Sequence, residues 1–160
     1  MSVVISLVSI GVLTFIDQII KYVVEMRLPS AGEITVVENF LSWDYVQNTG
    51  AAFGSFSENT ALLSVITGAV ILAGIIAIVM KKIKGKYLLT VSVMIIAGGI
   101  GNLIDRIAKG YVVDFIKVLF IDFPVFNFAD ILVTCGAFML MGYLVWDTYR
   151  DYKKKKSKEQ

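Results

Sequence analysis

Long apolar runs separated by short polar stretches dominate this chain. Four of the runs, over about residues 3–24, 60–80, 87–104 and 126–146, each approach the roughly 20 residues that a helix needs to cross about 30 Å of hydrocarbon. They predict four membrane-spanning helices. The first has no Lys or Arg ahead of it and no small-residue cleavage site behind it, so it reads as a retained span and not as a removed signal peptide. A different pattern lies between the first two runs, where Glu33-Ile-Thr-Val-Val-Glu38 and Ser42-Trp-Asp-Tyr-Val-Gln47 are rich in β-branched and aromatic residues on either side of a short connector. That pattern predicts a β-hairpin. The expected fold is therefore an all-α membrane bundle of four transmembrane helices carrying a small extracytoplasmic β-hairpin or cradle, in one integral membrane domain over residues 1–160.

Composition agrees with this reading. With 57% hydrophobic residues and only 18% charged, the chain is far too apolar for an ordinary soluble domain. Its formal charge of +2 conceals two lysine clusters, Lys81-Lys82-Ile83-Lys84-Gly85-Lys86 and the tail Lys153 to Lys158, which speak to membrane topology and not to nucleic acid. By the positive-inside rule both are cytoplasmic. Both termini are then inside, the basic tail over 150–160 is a solvated helix end, and residues 25–59 and 105–125 lie on the outer face. The first of these outer segments is acidic, with five carboxylates against Arg27. Histidine is absent, which removes Ser-His-Asp triads, Cys-His dyads and His-based zinc sites together. The single Cys135 cannot form an intrachain disulfide and reads as a buried, inert thiol.

Chemistry has to come from the polar residues placed in apolar surroundings. Asp17 and Lys21 share one helical face at i, i+4, and Asn102, Asp105 and Arg106 share another. Asp17, Lys21 and Asp105 read as structural charges that pair to offset each other's desolvation, with snorkelling of Lys21 as an alternative. Arg106 is open to a peptide carbonyl or a lipid phosphate. Gly98-Gly99-Ile100-Gly101 fails as a nucleotide loop and reads as close helix packing. Asp114 and Asp130, sixteen residues apart, lack an obvious basic partner, except that Lys117 would reach Asp114 if that stretch were helical. Carboxylates left near hydrocarbon are costly and point to function. Two that meet at the membrane surface share one proton, so one acts as acid while the other activates water.

The chain resembles the lipoprotein signal peptidases, the bacterial signal peptidase II family. The resemblance rests on Asp17-Gln18-x-x-Lys21, Asn48-Thr-Gly-Ala-Ala-Phe-Gly54, Gly101-Asn102-Leu-Ile-Asp105-Arg106, Val112-Val-Asp114-Phe-Ile116 and Phe126-Asn127-Phe-Ala-Asp130, in the family's order and approximate spacing. It implies a four-helix aspartic endopeptidase of the bacterial plasma membrane. Such an enzyme cuts lipidated prolipoproteins on the amino side of a diacylglyceryl-modified cysteine, near the outer face, as a monomer among membrane lipids and without cofactor or metal. The resemblance makes Asp114 and Asp130 the catalytic dyad and Asn48, Asn102, Arg106 and Asn127 site-lining residues, and it equates the hairpin with the family's β-cradle. Lys117 and Ile131 depart from the family's usual residues and bear on lipid or substrate preference. Two other classes compete: a non-enzymatic module or small transporter, and a serine/lysine peptidase using Ser55 or Ser57 with Lys21, Lys109 or Lys117.

Overall fold

In the computed structural model, which describes residues 2–50 and 60–157, four helices and a three-stranded antiparallel sheet follow the order α1 (Val3–Ala31), β1 (Ile34–Val37), β2 (Leu41–Asn48), α2 (Thr60–Val79), α3 (Lys86–Lys109), β3 (Val112–Val118) and α4 (Phe128–Lys156). All four helices are long and apolar enough to cross a membrane. Their outer faces are lined by exposed aliphatic and aromatic side chains such as Val8, Phe15, Ile66 and Phe138, the arrangement expected where lipid replaces water.

The inward face of α1 reverses the soluble pattern. Its buried positions, Ser6, Ile10, Thr14, Asp17, Lys21, Val24 and Leu28, recur every three or four residues, and four of the seven are polar. A stripe like this needs partners inside the bundle, because an unsatisfied polar group in hydrocarbon costs several kcal/mol. Thr14 Oγ1 accordingly donates to the Ala97 carbonyl of α3 at 3.2 Å. Close approach of the helices comes from the glycines of α3. A Cβ added at Gly98 would strike the Ala129 carbonyl of α4, and one at Gly101 would strike the Asp17 carboxylate of α1.

Two helices, α1 and α3, exceed their predicted spans at the end that carries the sheet. α1 runs on to Ala31, so Glu25 is helical and not part of a loop, and α3 continues through Asp105 and Arg106 to Lys109 before Gly110 caps it at φ +81°. At the other end α4 remains helical through the basic segment to Lys156, well past the predicted limit of 146. The expected hairpin is present as β1 and β2, within one residue of the predicted bounds. A third strand extends the expected hairpin. Val112–Val118 pairs with β2, placing Asp114 opposite Val46 and Val112 opposite Asn48, so the segment is not helical and Lys117 is no i+3 partner of Asp114. Lys117 instead reaches back to Glu33 at 2.7 Å and Asp44 at 3.4 Å. The chain then turns so that Phe126 pairs with Ile116: its carbonyl accepts from the Phe115 and Ile116 N–H groups at 3.0 and 2.7 Å, and its own N–H donates to Ile116 at 3.1 Å. This back-folding sets the start of α4 beside β3.

Candidate active site

The strand and the helix each deliver one carboxylate to the same place. Asp114 is held by β3, and Asp130 lies in the first turn of α4, where Asn127 forms a reciprocal cap: the Asp130 N–H donates to Asn127 Oδ1 at 2.9 Å and the Asn127 N–H donates to Asp130 Oδ2 at 3.1 Å. Such a capping box satisfies two orphan amides of the helix start. It also places a carboxylate at the positive end of the helix.

Three asparagines surround the pair, and the orientation of each side-chain amide is dictated by a group that can only donate. Asn48 Oδ1 accepts from the Gly50 N–H at 2.9 Å, so its Nδ2 faces Asp114 Oδ2 at 2.8 Å. Asn127 Oδ1 accepts from Asp130 N–H, so its Nδ2 faces Asp114 Oδ1 at 2.6 Å and Asn102 Oδ1 at 3.2 Å. Asn102 Oδ1 accepts from the Lys21 ammonium at 2.8 Å, and its Nδ2 donates to Asp130 Oδ1 at 2.7 Å. Every oxygen of both carboxylates thus receives an N–H, and none of these four donors carries charge. Burial pushes the Asp114 carboxyl up to about 6, with the negative charge of Asp130 adding to the rise and the donors from Asn48 and Asn127 opposing it.

The ammonium of the region sits one layer deeper. Lys21 is buried to 1% exposure and contacts Asp17 at 3.0 Å and Asp105 at 3.1 Å. Asp17 also accepts from the Ala129 N–H at 3.0 Å, and Asp105 from the Val113 N–H at 3.2 Å, so this trio ties α1 and α3 to α4 and β3. Asp17, Lys21 and Asp105 thus pair inside the bundle, and Lys21 is buried where snorkelling would have exposed its ammonium. Arg106 donates to the Gly50 carbonyl at 3.1 Å, while its buried Nε has no partner among the described residues. All the predicted site residues therefore converge. The sequence reading missed Glu25, which accepts from Lys109 at 2.8 Å and Tyr111 at 3.0 Å and lies 3.4 Å from the Tyr45 hydroxyl. Its spacing four residues beyond Lys21 continues the same helical face and could have revealed it.

A groove of about 720 Å³ opens onto the carboxylates, bordered on its polar side by Asn48, Asn102 and Arg106 and on its apolar side by Val112, Ile131, Val133 and Cys135. Cys135 is exposed, which corrects the expectation of a buried thiol: this face of α4 looks outward. Ala51 to Gly54 and the candidate serines Ser55 and Ser57 lie outside the described residues. Lys21, Lys109 and Lys117 are all engaged by carboxylates, so none is left as the neutral base that a serine/lysine site needs. Among the described residues no three His, Cys, Asp or Glu side chains gather as metal ligands.

Fold and site together define a multi-span membrane protein with a donor-lined carboxylate pair at one end of its bundle. Residues 9–146 match the model of the family described as Signal peptidase (SPase) II, and the chain belongs to that family. It is 39% identical over 142 residues to the lipoprotein signal peptidase of Clostridium tetani, covering 86% of this chain and 91% of that one. It is 40% identical over 148 residues to the lipoprotein signal peptidase of Symbiobacterium thermophilum, covering 91% and 94%. Two solved structures of bacterial membrane enzymes superpose with TM-scores of 0.82 and 0.77 at 29% and 28% identity, over 89% and 87% of this chain and 88% and 91% of theirs.

Proposed function

We propose that this protein is an aspartic endopeptidase that removes signal peptides from prolipoproteins, cutting on the amino side of a diacylglyceryl-modified cysteine. The observation that carries the reading is the uncharged donor shell: among the described residues, the buried Asp114 and the half-buried Asp130 accept only from amide N–H groups, and so keep a capacity to exchange a proton that an ammonium partner would suppress. The pair holds one proton, and the burial and charge that push Asp114 up favour its residence there. Asp114 donates that proton toward the scissile carbonyl oxygen while Asp130 takes a proton from water, whose oxygen bonds to the carbonyl carbon. Collapse of the tetrahedral intermediate breaks the C–N bond as a carboxyl returns a proton to the leaving nitrogen. The products are a signal peptide with a new carboxylate and a lipoprotein with a free α-amino group.

Arg106, with Asn48, borders the groove where the peptide backbone would lie, and its guanidinium fork suits a peptide carbonyl. The apolar wall of α4 suits a lipidated substrate arriving from the bilayer. The enzyme works as a monomer in the bacterial plasma membrane, with lysine clusters and both termini on the cytoplasmic side and the carboxylates near the outer face. No metal is used, so activity persists in excess chelator; loss of turnover that Mg²⁺ or Zn²⁺ restores would make the aspartates metal ligands instead. The decisive assay is cleavage of a synthetic lipidated precursor beside its unlipidated twin, by wild type and by Asp130→Asn. Lipid-dependent cleavage that the substitution abolishes is expected, whereas cleavage surviving Asp130→Asn would point to a serine/lysine enzyme.

A further inference from the structure

Lys21 has no part in the proton transfers proposed above, yet its geometry reaches them. An ammonium has three N–H donors and no acceptor. Here each donor has its own acceptor: Asp17 Oδ2 at 3.0 Å, Asp105 Oδ2 at 3.1 Å and Asn102 Oδ1 at 2.8 Å. The two carboxylates suffice for its charge, so the third bond does something else. Because Lys21 cannot accept, only the oxygen of the Asn102 amide can face it, and the nitrogen is forced to the far side, 2.7 Å from Asp130 Oδ1. The amides of Asn48 and Asn127 are oriented by backbone N–H groups; the Asn102 oxygen is held by side chains, closely by the Lys21 ammonium at 2.8 Å and more loosely by Asn127 Nδ2 at 3.2 Å. We propose that Lys21 is a positioning residue for the reaction, fixing the Asn102 amide so that it presents an N–H, and never a carbonyl, to Asp130.

This inference rests on the aspartic dyad. Without the ammonium, the longer 3.2 Å bond from Asn127 Nδ2 is the remaining hold on the Asn102 oxygen, and the amide can turn over to set that oxygen against the carboxylate, replacing a donor by a repelling acceptor. The other charges around these groups are Asp17 and Asp105 beside Lys21, Lys109 at 3.3 Å from Asp105, and Arg106, whose charge is attracted by Asp130, Asp114 and Asp105.

Lys21→Met alone would strand two buried carboxylates, so the primary variant is the charge-neutral exchange Asp17→Asn/Lys21→Met, with Asp17→Asn as its control. On a synthetic lipidated precursor the double variant is expected to lose about 10- to 100-fold in kcat relative to that control, the range for one hydrogen bond to a charged group. KM should be nearly unchanged, and the acid limb of the kcat profile should move to higher pH, because a donor that favours the carboxylate is gone. Adding Asn102→Ala should then cost little more, although Asn102→Ala alone is costly. A folded double variant with the control's kcat and pH profile would overturn the inference, as would full additivity with Asn102→Ala. If the double variant does not fold, Asn102→Asp decides: it keeps an acceptor for Lys21 but has no N–H for Asp130, so it should be stable and slow, and control-level kcat would overturn the inference. Turnover in Asp114→Asn or Asp130→Asn would instead refute the dyad itself. Inactive dyad variants beside fully active Lys21 and Asn102 variants refute only the role of Lys21.

Discussion

Two clusters of carboxylates lie within one hydrogen-bonded network, and they are built on opposite principles. In the deeper one, Asp17 and Asp105 close on the Lys21 ammonium; in the other, Asp114 and Asp130 receive N–H groups from asparagine side chains and backbone and form no ion pair among the described residues. A cation fixes a carboxylate in its ionised form, while neutral donors hold its position and leave it able to take up a proton. Under the proposed function this contrast is a division of labour, in which one cluster joins the helices and the other performs acid/base chemistry.

The severest test of that division is Asp114→Asn or Asp130→Asn. Each should reduce turnover by more than about 1000-fold, since acid/base assistance from one group is worth about 10² to 10⁴ and the two act as a unit, while the variants still insert and fold. Near wild-type cleavage of the lipidated precursor by either would break the comparison. Asp105→Ala should act the other way round. It leaves Lys21 with one carboxylate and the Val113 N–H without its acceptor, and it should destabilise the protein by about 3–5 kcal/mol, the cost of breaking a buried pair. Thermal unfolding in detergent would measure this, and an unchanged melting temperature would show that the deeper cluster is not structural.

Proton affinity offers a gentler probe. The folded-state value of Asp114 is raised to about 6 from 3.8, so between those values the native protein binds more protons than the unfolded chain. Stability therefore falls as pH rises through this window and levels off above about 6, by at most about 3 kcal/mol from this group. In Asp114→Asn that pH dependence should disappear. Melting curves at pH 4 and 7 compare the two proteins, and identical differences would remove Asp114 as the source. Smallest of all is the exposed ion pair on the sheet. The Glu33 carboxyl is held below its usual range, chiefly by its hydrogen bond to Lys117, yet Glu33 is exposed and Lys117 only half-buried, so solvent and salt screen the pair. Glu33→Gln should leave the melting temperature nearly unchanged, and the residual difference should vanish at 1 M salt. A large effect would mean that the sheet depends on charge to keep Asp114 in place.

The parts of this molecule legible in its sequence are those that obey local rules. The four spans follow from run length, the hairpin from β-branched residues around a connector, and the Asp17–Lys21 pair from helical spacing. The third strand was hidden because its evidence is non-local: Val112–Val118 becomes a strand by pairing with Leu41–Asn48, some seventy residues earlier. A short apolar run next to a span carries no sign of that partner. The helix extensions were hidden because hydropathy marks where lipid ends and not where backbone hydrogen bonding ends. Within the site, residue identities were readable through the five sequence blocks. The direction in which each asparagine amide points was not, since it depends on donors contributed by three separate parts of the chain, the turn at Gly50, the first turn of α4 and Lys21 of α1.

The pairing of Phe126 with β3 bears on how the protein is made. Asp114 is synthesised before Asp130, and the second carboxylate reaches the first only when the chain folds back through Phe126 and the Ala129 N–H docks on Asp17 of the first helix. A nascent chain with three helices inserted thus carries one carboxylate of the proposed pair. In the two-stage picture, in which helices insert before they pack, hydrolytic competence arrives last, with the docking of the fourth helix. A partly assembled protease has no complete site with which to cut the membrane segments around it, its own included.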